Sequence, residues 1–205
     1  MSLTAIALNC SLKPSAGEAS STDAMIEVLR DALAEHDVAL TETIRIADYD
    51  VKPGVSSDEG DGDDWPAIRA KVLAADILVF GTPIWMGQLG SVGKRVLERM
   101  DAFLGETDDQ GRMPSYGKVA VAAIVGNEDG AHWTSAQLFQ SLNDTGWTIP
   151  SVAACYWVGE AMQSTDFKDL DETPDKVRQT AAMVAGNAAH LAGLLAKSPY
   201  PGSDG

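Results

Sequence analysis

DILVFGTPIWMGQLG, residues 76–90, passes from an unbroken apolar run into a loop bounded by glycine and proline. Asp76 to Phe80 shows no polar alternation, as expected of a strand covered on both faces in a parallel sheet. Two further runs read the same way: LTAIAL from Leu3 to Leu8, and KVAVAAIV from Lys118 to Val125. Val38 to Ile46, with its alternating TETIRI, reads as an edge strand, and Trp147 to Val158 holds a fifth. Helical spacing fills the intervals. Thr22 to His36 sets Met25, Val28, Leu29, Ala32 and Leu33 on one face. Trp65 to Ala75 reads as a short helix capped by Asp63 or Asp64. The helix after Gly90 gathers Val92, Val96, Leu97 and Met100. His132 to Thr145 turns Ala136, Phe139 and Leu142 inward, and Thr173-Pro174 opens a last helix running to about Ala196. Strand and helix repeated five times predict an α/β fold: one doubly wound parallel sheet with helices on both faces. The pattern leaves the strand order open; 2-1-3-4-5 is one of two common orders.

The chain has 205 residues and a net charge of −15, with 45% apolar residues. That size suits one domain, expected over residues 1–197, with a flexible Pro/Gly-bearing tail expected over 198–205. The acidic excess argues against nucleic acid and anionic membrane surfaces as partners. No apolar run nears the length of a membrane span, and MSLTAIALNC lacks the basic start of a signal peptide. The expected compartment is cytoplasmic, with Cys10 and Cys155 reduced. Asp58 to Asp64 carries five acids in seven residues, outside the register of a calcium loop, and reads as a solvated loop. His36, His132 and His190 fall at no ligand spacing, so no metal site is expected.

In a doubly wound sheet the ligand sits outside the carboxyl ends of the strands. Three loops there are unusual. The first, Asn9 to Thr22, is rich in hydroxyls and ends at a helix N-terminus, which offers free N–H groups and a positive dipole end to a phosphate. Lys13 is the only Lys or Arg among the first 29 residues. Ser21 or Thr22 could instead do no more than cap the helix. The P-loop and dinucleotide glycine patterns are both absent. The second loop, Gly81 to Gly90, holds Trp85 and Met86 in a rigid turn, an apolar wall on which a planar heterocycle would stack. The alternative is that both side chains tuck into the core. In the third, Gly126 to Gly130, glycines permit close backbone approach and Asn127 can meet a ring edge, whereas Glu128 and Asp129 suit a helix start. Trp85, Trp133 and Trp157 fall near strand ends; Trp65 and Trp147 read as structural.

These loops resemble the NAD(P)H-dependent FMN reductase family of flavodoxin-like proteins, from Thr4 to about Leu195. GTPIWMGQLGSVGKRVLERMD, residues 81–101, is the most specific part; Asn9-Cys10-Ser11-Leu12-Lys13 and Ser20-Ser21-Thr22 resemble the family's first loop, with lysine for the common arginine and serine for the common asparagine. The resemblance implies the flavodoxin-like order 2-1-3-4-5, which sets Cys10 and Cys155 roughly 14 Å apart. It implies FMN with its phosphate among Ser11, Lys13, Ser20, Ser21 and Thr22. The ring would lie on Pro83, Ile84, Trp85, Met86 and Gly87 and meet Gly126, Asn127, Glu128, Asp129 and Gly130. It further implies NADH or NADPH as co-substrate, a small acceptor (a quinone, a nitro or azo compound, or a flavin), and a homodimer or homotetramer. No catalytic side chain is required, since the flavin performs the hydride chemistry. The rival reading is a flavodoxin-type electron carrier.

Overall fold

The computed structural model describes residues 2–161 and 163–202. Its elements are β1 (Leu3–Asn9), α1 (Ser21–Ala34), β2 (Val38–Arg45), α2 (Trp65–Ala74), β3 (Ile77–Trp85) and β4 (Gln88–Leu89). They continue with α3 (Ser91–Met100), β5 (Val119–Val125), α4 (Ala131–Asp144), β6 (Ala154–Trp157) and α5 (Asp175–Lys197). The parallel sheet runs β2-β1-β3-β5-β6. Counted along the parallel strands this is 2-1-3-4-5, as expected, with β2 at an edge. The addition is β4, a short antiparallel strand on the end of β3.

The unbroken apolar runs divide by residue parity between two cores. Ile6, Leu8, Leu78, Phe80, Ala120, Ala122 and Ile124 face α2, α3 and α4. Ala5, Ala7, Ile77, Val79, Val121 and Ala123 face α1 and α5. Strands buried on both faces need apolar residues at every position, which is why they read without alternation.

Two expectations are corrected. Helix α4 buries Leu138, not Ala136, beside Leu142. The acid-rich loop is mostly exposed, but Asp63 within it is enclosed against Arg99, with neither side chain reaching solvent. Asp64 sits at the N-cap of α2 while its side chain accepts from the Asp50 N–H at 2.8 Å; Asp63 accepts from the Trp65 N–H at 3.2 Å. Cys10 and Cys155 are free and buried, and Trp65 and Trp147 lie in the core, as expected. Among the described residues no helix is long and apolar enough to cross a membrane.

Candidate functional site

The first loop is held by a polar chain that starts at the end of β1. Buried Asn9 accepts the Ser11 N–H at 2.8 Å and donates through Nδ2 to Asp23 in the first turn of α1. Asp23 also pairs with Arg45 at the end of β2, and Arg45 donates to the Lys13 and Pro14 carbonyls at 3.3 and 3.4 Å. Two strands and a helix therefore fix the loop. Ser20, not Ser21 or Thr22, is the N-cap, accepting the Thr22 N–H at 3.1 Å. This leaves Ser11, Ser21 and Thr22 as further hydroxyls at the same helix end. Lys13 Nζ lies 2.9 Å from Glu18.

The second loop is not a loop for half its length. β3 continues in register with β5 through Pro83 and reaches Trp85, then reverses into β4 through Met86 and Gly87. Both turn residues have positive φ, 54° and 73°. That is the conformation of a two-residue hairpin whose twist matches its strands. Methionine is a costly choice at such a position, and Met86 is 89% exposed. Glu128 compensates: one carboxylate oxygen accepts the Met86 N–H at 3.0 Å and the other the Gly87 N–H at 3.1 Å. Gly130, at φ 127°, lets the two backbones touch; a Cβ there would lie 2.6 Å from Gly87 atoms.

A cleft opens between these loops at the carboxyl ends of the strands. Of the residues anticipated, Ser11, Lys13, Ser20, Ser21, Thr22, Pro83, Ile84, Trp85, Gly126 and Asn127 line it. Met86, Gly87, Glu128, Asp129 and Gly130 do not; they form the clasp of hairpin and third loop beside it. Sequence reasoning missed Asp166, Phe167 and Lys168, which close the cleft from the segment after β6. Phe167 packs on Trp157 at 5.6 Å, the Lys168 N–H donates to Ser21 Oγ at 3.3 Å, and Asn127 donates to Asp166 at 3.4 Å. A signal existed: Lys168 is the only Lys or Arg between Lys118 and Lys176. The cleft thus has a hydroxyl-rich, cationic end at α1 and an apolar body of Ile84, Trp85, Trp157 and Phe167.

Neither cysteine lines the cleft. Burial raises the Cys10 thiol far above its ordinary range and pushes Cys155 up to about 12, so neither forms thiolate at neutral pH. Among the described residues no three His, Cys, Asp or Glu side chains could hold a metal. His132 Nε2 lies 3.1 Å from the Tyr156 hydroxyl, at the start of α4. A larger concavity of about 750 Å³, lined by Glu106, Arg112, Tyr116 and Tyr200 among others, lies at the opposite, amino end of β5.

Comparison with known proteins agrees with this geometry. The profile of the family described as NADPH-dependent FMN reductase matches residues 3–163. A divalent metal cation transporter, MntH of Mycobacterium bovis, is 35% identical over 94% of this chain, which spans only 29% of that protein's length. The 8-demethyl-8-aminoriboflavin-5′-phosphate synthase of Streptomyces davaonensis is 31% identical over 98% of this chain and 81% of its own. The solved structure of RosB with the bound intermediate 8-demethyl-8-formylriboflavin-5′-phosphate superposes with a TM-score of 0.86. It is 28% identical and is matched over 97% of this chain and 82% of its own. The family profile covers most of the chain and the Streptomyces relative is matched along 98% of it: the chain belongs to the NADPH-dependent FMN reductase family.

Proposed function

We propose that the cleft binds FMN, and that the enzyme passes a hydride from NADH or NADPH through it to a small acceptor such as a quinone, a nitro or azo compound, or a flavin. The observation that carries this reading is the division of the cleft. Ser11, Ser20, Ser21, Thr22 and Lys13 gather at the N-terminus of α1, a donor set suited to a phosphate. Pro83, Ile84, Trp85 and Trp157 supply flat apolar walls suited to a ring. The residues present therefore fit a riboflavin 5′-phosphate. A bound flavin supplies the hydride chemistry. The chain's own share is to hold the phosphate end, to fix Trp85 through the Glu128 clasp, and to screen the ring from water with Trp157 and Phe167.

A second reading takes the flavin as substrate. It is favoured by the synthase's identity along nearly the whole chain and by the fit to the structure holding an 8-formyl flavin phosphate. One experiment separates the two. The FMN-loaded protein is mixed anaerobically with NADPH, then NADH, and flavin absorbance is followed; after aerobic turnover the flavin is extracted and weighed. Rapid bleaching with the flavin recovered unchanged in mass is the expected result. No bleaching by either nucleotide overturns the reductase reading, and a changed mass supports the second.

A further inference from the structure

We propose that Lys168 is a second cation for the 5′-phosphate of the flavin, acting with Lys13, and that Glu18 and Asp169 hold the two ammonium groups until the phosphate replaces them. The inference rests on the flavin reading above and turns on Lys168, which lies outside every motif of the sequence.

The segment from Asp166 to Lys168 is tied to the cleft at successive positions. Asp166 accepts from Asn127, Phe167 is buried against Trp157, and the Lys168 backbone N–H donates to Ser21 Oγ. Ser21 keeps its own proton to donate to an anion. With its backbone held on Ser21, the first residue of α1, Lys168 forms part of the cleft wall at the hydroxyl-rich end.

The lysines are paired in the same manner. Lys13 Nζ lies 2.9 Å from Glu18, and Lys168 Nζ lies 2.7 and 2.8 Å from the two oxygens of Asp169. Glu18 and Asp169 are 77% and 51% exposed, whereas Lys168 is only 22% exposed. Exposed pairs of this kind are weak. A phosphate carries up to two charges and several strong acceptor oxygens, so it displaces a single solvated carboxylate from each ammonium. Lys13 and Lys168 both line the cleft beside the serines of α1, and Glu18 is held below the usual carboxylate range first by its hydrogen bond with Lys13, then by the charge of Lys13 and that of Lys168.

The test compares FMN with riboflavin, which lacks the phosphate, by quenching of tryptophan fluorescence in the parent, Lys168→Ala, Lys168→Arg and Lys13→Ala. The backbone latch to Ser21 survives each change at 168, and thermal melting checks the fold. Lys168→Ala is expected to weaken FMN by about 10- to 100-fold, the range for a charged hydrogen bond, with riboflavin unchanged. Lys168→Arg should recover most of the loss. The salt dependence of FMN binding should flatten in Lys168→Ala. An unchanged FMN-to-riboflavin ratio in Lys168→Ala overturns the proposal while leaving the flavin reading intact, and so does an equal loss for both ligands. A parent protein that binds neither flavin overturns the flavin reading and the proposal with it.

Discussion

Replacing Arg99 with methionine is expected to destabilise the fold by about 3–5 kcal/mol, the cost of leaving a buried charge without its partner. Arg99 and Asp63 meet as a fork, at 3.0 and 2.7 Å, with neither side chain exposed. The remaining capacity is filled. Arg99 also donates to the Ser56 and Lys52 carbonyls at 2.9 and 3.0 Å. Asp63 also accepts the N–H groups of Lys52, Glu59 and Trp65 at 3.3, 2.9 and 3.2 Å. One ion pair therefore fastens the whole acidic loop to α3, and its guanidinium lies 5.9 Å from the Trp65 ring. Burial alone would raise the Asp63 carboxyl; the Arg99 hydrogen bonds and the backbone donors outweigh it and hold it well below the usual range. A depressed folded-state pKa gives stability that is complete above the unfolded value of about 4 and lost as pH falls below it. Urea melts at a series of pH values should show this acid limb in the parent and a shallower one in Asp63→Asn, where Glu18, Asp48, Glu59 and Asp108 are still held below the usual carboxylate range. Replacing both partners with apolar residues should cost less than Arg99→Met alone. If Arg99→Met melts within 1 °C of the parent, the pair does not carry the loop.

The parallel sheet was legible because its strands have no solvent face. Leu3 to Leu8 and Lys118 to Val125 carry that demand at nearly every residue, so the apolar run itself marks the element. The continuation of β3 was not legible. Gly81, Thr82 and Pro83 have the composition of a turn, yet Gly81 is paired with both β1 and β5, and Thr82 and Pro83 stay in register with β5, where the neighbouring strand imposes extended backbone. Arg99 was hidden for a related reason: helical spacing assigns an arginine to water, and only the fold reveals the carboxylate that meets it. The cleft was read where hydroxyls and a lone lysine cluster along the chain. Its far wall was not, because Lys168 reaches Ser21 across 147 residues and Asp166 reaches Asn127 across 39, and no local pattern encodes such a meeting. Glu128 shows the same limit. Its position suits a helix start, but its carboxylate is spent on the N–H groups of Met86 and Gly87.

That clasp yields the second large effect, from Gly130→Ala. At φ 127° an alanine is strained, at about 1–3 kcal/mol for a residue held in such a region. Its Cβ would also meet the Gly87 Cα, carbonyl carbon and oxygen at 2.6–2.8 Å, and these are backbone atoms that cannot rotate away. The hairpin tip must move outward, carrying the Met86 and Gly87 N–H groups off Glu128 and shifting Trp85 on the cleft wall. The Trp85 end of the cleft, proposed above to hold the ring, is damaged, and the hydroxyl-rich end at α1 is not. Gly130→Ala should therefore weaken FMN and riboflavin by the same factor, whereas Lys168→Ala should weaken FMN alone. Glu128→Ala should move both ligands in the same sense but less, because it removes two acceptors without inserting an atom. Fluorescence titrations of both flavins against the three variants measure this directly. Loss of FMN binding alone in Gly130→Ala would place the hairpin at the phosphate, and unchanged binding of both would remove the clasp from any part in shaping the cleft.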